Sequence, residues 1–99
     1  MSFYNTPRWK AKRQVILRRD NYECRECKRY GKVTAANTVH HIFPLEDYYD
    51  LRLVNLNLYS CCNACHNSFH DRFTNEITLK GKQLQERFRD KIFDPPSVE

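Results

Sequence analysis

The apolar positions of this chain fall into short, separated groups, each with its own period. In "NTPRWKAKRQVILRRD", Trp9 and Ile16, with Val15 and Leu17 beside them, are set among basic residues. Thr6 suits an N-cap and Pro7 a first helical position, so a helix is predicted over 6–20. "NYECRECKRYGK" reads instead as a tight turn closed by Gly31. "NTVHHIF" is a β-prone run, and "LVNLNLYS" alternates Val54, Leu56 and Leu58 with polar residues, which predicts two strands joined by the polar, aromatic loop "PLEDYYDLR". In "NACHNSFHDRF" the spacing groups His66, Phe69, His70 and Phe73 on adjoining faces of a helix. Thr74, Asn75 and Gly81 break that pattern. Leu84, Phe88 and Ile92 then recur at i+4 steps, predicting an amphipathic helix over 82–93 that Pro95 and Pro96 stop. The class is α+β, and without repeats, low-complexity tracts or linkers the expectation is one domain over 1–99.

The size of the chain changes how that core is read. With 99 residues it is too short to bury much apolar surface, and such domains usually carry a disulfide or metal staple. Five cysteines fit a disulfide framework poorly, whereas Cys24/Cys27 and Cys62/Cys65 form two CxxC pairs with 34 residues between them. Both sulfurs of a CxxC turn reach one ion, so the two pairs can converge on one tetrahedral structural zinc with no open position. Zinc would then supply folding free energy that the core lacks. "SCCNAC" also offers Cys61 as a partner for Cys65; spacing favours Cys62, leaving Cys61 as a small buried hydrophobe. The opening "MSFYNTPRWKAKRQ" has no apolar signal-like run, and no stretch is long enough to span a bilayer, so a reducing cytoplasm is the expected compartment.

Charge is unevenly distributed. The formal net charge is +5, yet residues 8–32 hold ten Lys/Arg against three Asp/Glu, so the remainder sums to −2. This basic third suggests a polyanionic partner, with Arg8, Lys10, Lys12, Arg13, Arg18 and Arg19 as candidate phosphate contacts. The plainer reading of such a run is a solvated helix face.

All four histidines fall in two clusters, His40/His41 and His66/His70. Rings four apart on a helix can grip one cation, and His66 directly follows Cys65 at the edge of the second knuckle. Adjacent strand residues point to opposite faces, so one of His40 and His41 would face His66 and His70 while the other faces away. The first would complete a three-histidine metal site with open positions, and the second would be free to act as a general base near neutral pH. Spacing alone does not say which is which.

The order CxxC, "VHHI", "NLYSC", CxxCH and a further histidine four residues on resembles the HNH endonucleases of the ββα-metal superfamily. The resemblance runs from about Tyr4 to Arg72, and the lead-in is similar to that of small stand-alone HNH proteins of tailed bacteriophages. It implies a zinc-stapled, treble-clef-like ββα-metal unit over about 20–75, flanked by N- and C-terminal helices. By the resemblance His41 is the general base, His40 the first metal ligand, and Asn57 the central asparagine that steadies the hairpin loop and orients His41. His66 is the final motif histidine and a metal ligand, and His70 matches an extra ligand of the colicin-type branch. Two departures stand out: His40 occupies a place often held by aspartate, and Cys61 one where leucine is common. An all-imidazole site favours Mn2+, Ni2+, Co2+ or Zn2+ over Mg2+.

What the resemblance implies is metal-assisted hydrolysis of double-stranded DNA, one strand at a time. No spare recognition element is evident, so weak sequence preference is expected. The competing readings are a non-catalytic zinc module that binds DNA or protein, and an enzyme acting on RNA, for which no stacking platform is evident. The phage-like lead-in implies work in genome processing or packaging in the bacterial host cytoplasm, beside terminase or other packaging proteins, without a membrane. Monomer and homodimer both remain open.

Overall fold

The computed structural model describes residues 2–71 and 73–94. A short 3-10 turn, Phe3–Asn5, leads into helix α1, Pro7–Arg19. The Thr6 hydroxyl accepts from the Trp9 N–H at 3.2 Å and donates to the Phe3 carbonyl at 2.7 Å, so one side chain both caps the helix and ties down the preceding turn. A one-turn helix, α2 (Arg25–Arg29), occupies the first CxxC knuckle, and Gly31 closes it at φ +78°, a conformation that glycine adopts without steric cost. Strands β1 (Thr38–His41) and β2 (Leu58–Cys61) form an antiparallel hairpin in which His40 pairs with Tyr59 and His41 with Leu58. Helix α3, Asn63–Phe69, and helix α4, Leu79–Phe93, follow.

The hairpin lies between two apolar layers, which is why both strands are almost wholly buried. Val39 and Leu58 pack with Trp9, Ile16 and Leu17 of α1 on one side. Tyr59 and Cys61 pack with Phe69, Leu84 and Phe88 on the other. The two-residue period of a strand therefore sorts neighbouring side chains into separate cores. Beneath Tyr59 the carboxylate of Glu26, 1 % exposed, accepts the tyrosine hydroxyl at 2.9 Å and pairs with Arg87 at 3.3 Å, joining α2 to β2 and α4.

Several sequence expectations shift. The second strand begins at Leu58, and Val54 and Leu56 are exposed, because residues Asn55–Asn57 wind into a 3-10 turn. Val15 is exposed on α1, and Phe73 stands in solvent beyond α3. The last helix starts three residues before the expected 82, with Gly81 inside its first turn. A Cβ there would lie 2.5 Å from the Phe69 carbonyl oxygen, so this glycine permits a close approach of α4 to α3 and breaks nothing. Pro95 and Pro96 lie outside the described residues.

Candidate active site

Strand β1 directs its two histidines to opposite faces, and an aromatic ring backs each. His40 stacks on Phe69 of α3, with centroids 4.8 Å apart and planes at 27°. His41 stacks on Trp9 of α1 at 4.9 Å and 28°. Both imidazoles are buried, 3 % and 6 % exposed, yet both border one open cleft of about 950 Å3 that Tyr4, Arg13, Glu46 and Lys82 also line.

His40, His66 and His70 meet on one side, with ring centroids 5.1 to 5.7 Å apart and a nitrogen of each within 4.8 Å of the others. His70 reaches this cluster by a different route from the expected i+4 helix position. The helix ends at Phe69, His70 is extended (φ −129°, ψ 145°), and it bridges Ile77. Burial, then the neighbouring imidazoles, holds His40 well below the usual histidine range. Burial also lowers His66 and His70. Three neutral rings therefore face each other with lone pairs available. The His70 Nδ1 is buried with no hydrogen-bond partner among the described residues, a cost that ligation would remove. This donor set fits one divalent cation with coordination positions left open to the cleft.

His41 is organised differently. Its Nε2 lies 3.0 Å from the Arg52 carbonyl oxygen, and a carbonyl only accepts, so the proton resides on Nε2 and Nδ1 keeps its lone pair. Burial lowers its pKa and the carbonyl contact opposes that shift. The residue before Arg52 is bonded by Asn57, which is fully buried. Its side chain accepts from the Phe43 N–H at 2.8 Å and donates to the Phe43 and Leu51 carbonyls at 3.2 Å, drawing the 43–52 loop against the hairpin next to Arg52.

The sulfurs of Cys24, Cys27, Cys62 and Cys65 converge, with Cys27 Sγ 3.9 Å from Cys62 Sγ and 3.7 Å from Cys65 Sγ. Tetrahedral zinc with bonds of about 2.3 Å requires sulfurs about 3.8 Å apart, so the cluster fits that ion. Cys61 is turned away into the core, where burial pushes its thiol up. Cys62 is opposed by burial, but hydrogen bonds from the Cys65 backbone and neighbouring thiols bring it down to about 7.

The six basic residues of α1 divide. Arg8, Lys10 and Arg18 are exposed. Lys12 donates to the Asn55 side chain at 2.7 Å, and Arg13 to the Asn37 carbonyl at 2.6 Å beside the cleft. Arg19 pairs with Asp20 at 2.8 Å and also donates to the Asn55 and Leu58 carbonyls, so it fastens α1 to the hairpin. Sequence reasoning missed the roles of Phe69, Trp9 and the Arg52 carbonyl around the histidines, and of Glu26 in the core. No local signal marks them, because each acts through a partner distant along the chain.

The family described as HNH endonuclease matches residues 24–72, the segment that carries both knuckles and all four histidines. Among solved structures the chain is similar to the HNH endonuclease of the deep-sea thermophilic bacteriophage GVE2, crystallised with manganese ion. The two are 43 % identical, with 66 % of this chain and 71 % of that one covered at a TM-score of 0.64. No curated protein matches.

Proposed function

Taking as premise that this chain belongs to the HNH endonuclease family, we propose that it hydrolyses phosphodiester bonds of double-stranded DNA with His41 as general base. The observation that carries this reading is the divergence of His40 and His41 from one strand onto a shared cleft. Nδ1 of His41 takes a proton from water, and the resulting hydroxide attacks the scissile phosphorus in line with the departing 3′-oxygen. The P–O3′ bond breaks, the departing 3′-oxygen takes a proton from solvent to give 5′-phosphate and 3′-hydroxyl ends, and His41 later returns its own proton to solvent.

His40, His66 and His70 would hold one divalent cation. When bound, that cation supplies Lewis-acid stabilisation of the charge developing on the phosphate and the leaving oxygen. Imidazole donors favour Mn2+, Ni2+, Co2+ or Zn2+ over Mg2+, and the phage relative was crystallised with manganese. Asn57 contributes by holding the loop that orients His41. The four cysteines would hold a structural zinc, and Arg8, Lys10 and Arg18 would contact flanking phosphates without reading bases.

The test is nicking of supercoiled plasmid by wild type and His41→Ala with each cation in turn. A folded, zinc-loaded His41→Ala protein should lose about a hundredfold or more in rate. Equal nicking by the two proteins would remove His41 as the base. Similarity to a bacteriophage enzyme supports a place in phage genome processing or packaging in the host cytoplasm, with terminase proteins as candidate partners; co-purification from infected cells tests that. Among the described residues no helix is long and apolar enough to cross a membrane.

A further inference from the structure

We infer that Trp9 is a positioning residue for His41, which makes the N-terminal segment part of the catalytic machinery. The inference rests on the reading of His41 as base. Residues 24–72 carry the family match, and Trp9 lies outside them. Nevertheless its indole, 5 % exposed, covers one face of the His41 ring at 4.9 Å and 28°. Phe3 and Tyr4 approach the same imidazole edge-on, at 6.0 and 6.1 Å, and each also packs against Trp9. Thr6 locks this aromatic box, since its hydroxyl binds both the Phe3 carbonyl and the Trp9 N–H.

A base that must meet a water in line with phosphorus needs both its tilt and its rotation fixed. The Arg52 carbonyl fixes rotation by holding Nε2. One hydrogen bond leaves the ring free to rock about that contact, and the Trp9 stack removes the freedom while excluding water from the ring's rear face. His40 has the same device in Phe69, but Phe69 lies within the family-matched segment. The base therefore depends on an element that the motif residues do not include.

The experiment compares wild type, Trp9→Phe, Trp9→Leu and His41→Ala, with supercoiled plasmid and manganese. Leucine preserves an apolar filler but not the flat face, so kcat should fall about tenfold to a hundredfold while KM stays near wild type. Phenylalanine restores a planar partner and should recover most of kcat. Trp9 is the only tryptophan, so its emission reports on the stack directly: uncovering one face in His41→Ala should move it to longer wavelength. An active Trp9→Leu with wild-type kcat beside an inactive His41→Ala overturns the positioning role alone. Full activity in His41→Ala overturns the base reading itself. Should Trp9→Leu not fold, unchanged emission in His41→Ala, or failure of Trp9→Phe to retain activity with its fold intact, overturns the inference.

Discussion

The four cysteines and the three histidines are both groups of soft or borderline donors gathered around a point, yet they are assembled in opposite ways. Each cysteine pair is local, two residues of one turn, and only the meeting of the two turns is tertiary. The sulfurs sit near the 3.8 Å that tetrahedral zinc needs, and four thiolates leave nothing for substrate. The histidines come from a strand, a helix and the residue that leaves the helix, and they stand at the wall of an open cleft. Three neutral nitrogens neither saturate a cation nor cancel its charge. A closed site whose four thiolates more than offset the cation's charge suits holding a fold, whereas an open set of neutral donors, which leaves that charge to act on a substrate, suits chemistry.

This contrast is breakable by experiment. The largest effect should come from Cys27→Ser, which removes one of the four proposed zinc ligands; zinc held there would contribute about 10 kcal/mol or more to folding, so circular dichroism and metal analysis should show loss of both zinc and structure. Cys61→Ala sharpens the point, since it should retain zinc. Next is His66→Ala, expected to keep its zinc and its melting transition while plasmid nicking falls about a thousandfold, the equivalent of several kcal/mol of charge stabilisation. An unfolded His66→Ala would erase the distinction between a holding site and a reacting one. Asn57→Ala removes three hydrogen bonds, two of them buried, and should cost about 3 kcal/mol in urea unfolding, with a parallel fall in activity because the 43–52 loop, which carries the Arg52 carbonyl, loses its ties to the hairpin.

Gly81→Ala tests whether the histidine site depends on packing that the cysteine site does not feel. A Cβ would press on the Phe69 carbonyl and the Ile77 side chain, costing about 1–3 kcal/mol. Because Phe69 backs His40, manganese affinity measured by titration should weaken while zinc content stays the same. The smallest effect is expected for the exposed Lys10→Ala. It should lower the slope of log affinity against log salt by about one in filter binding and leave the melting temperature unchanged.

The ligand clusters were more legible in the sequence than the elements between them. CxxC and the paired histidines announce themselves because side-chain chemistry at short spacing needs no knowledge of the fold. The second strand starts later than its alternation suggests, because Val54 and Leu56 alternate as a strand would but flank and enter a 3-10 turn. What draws that turn in is the buried amide of Asn57, bonded to Phe43 and Leu51, and alternation says nothing of such bonds. Gly81 suggests a break because glycine weakens helices on average, while here the close passage of α4 over Phe69 requires it. His70 joins His40 and His66 although it lies beyond the helix that was expected to present it.

By itself, then, the sequence determined the donors: which residues could bind zinc, which could bind a second cation, and that adjacent histidines on a strand must part. Those follow from residue chemistry and local backbone geometry. Tertiary structure decided that Cys62 and not Cys61 joins the sulfur cluster, that His40 faces His66 and His70, and that Trp9 and Phe69 each back one imidazole. Such choices depend on which helix covers which face of the hairpin. That is settled by the packing of two apolar layers over residues far apart in the chain.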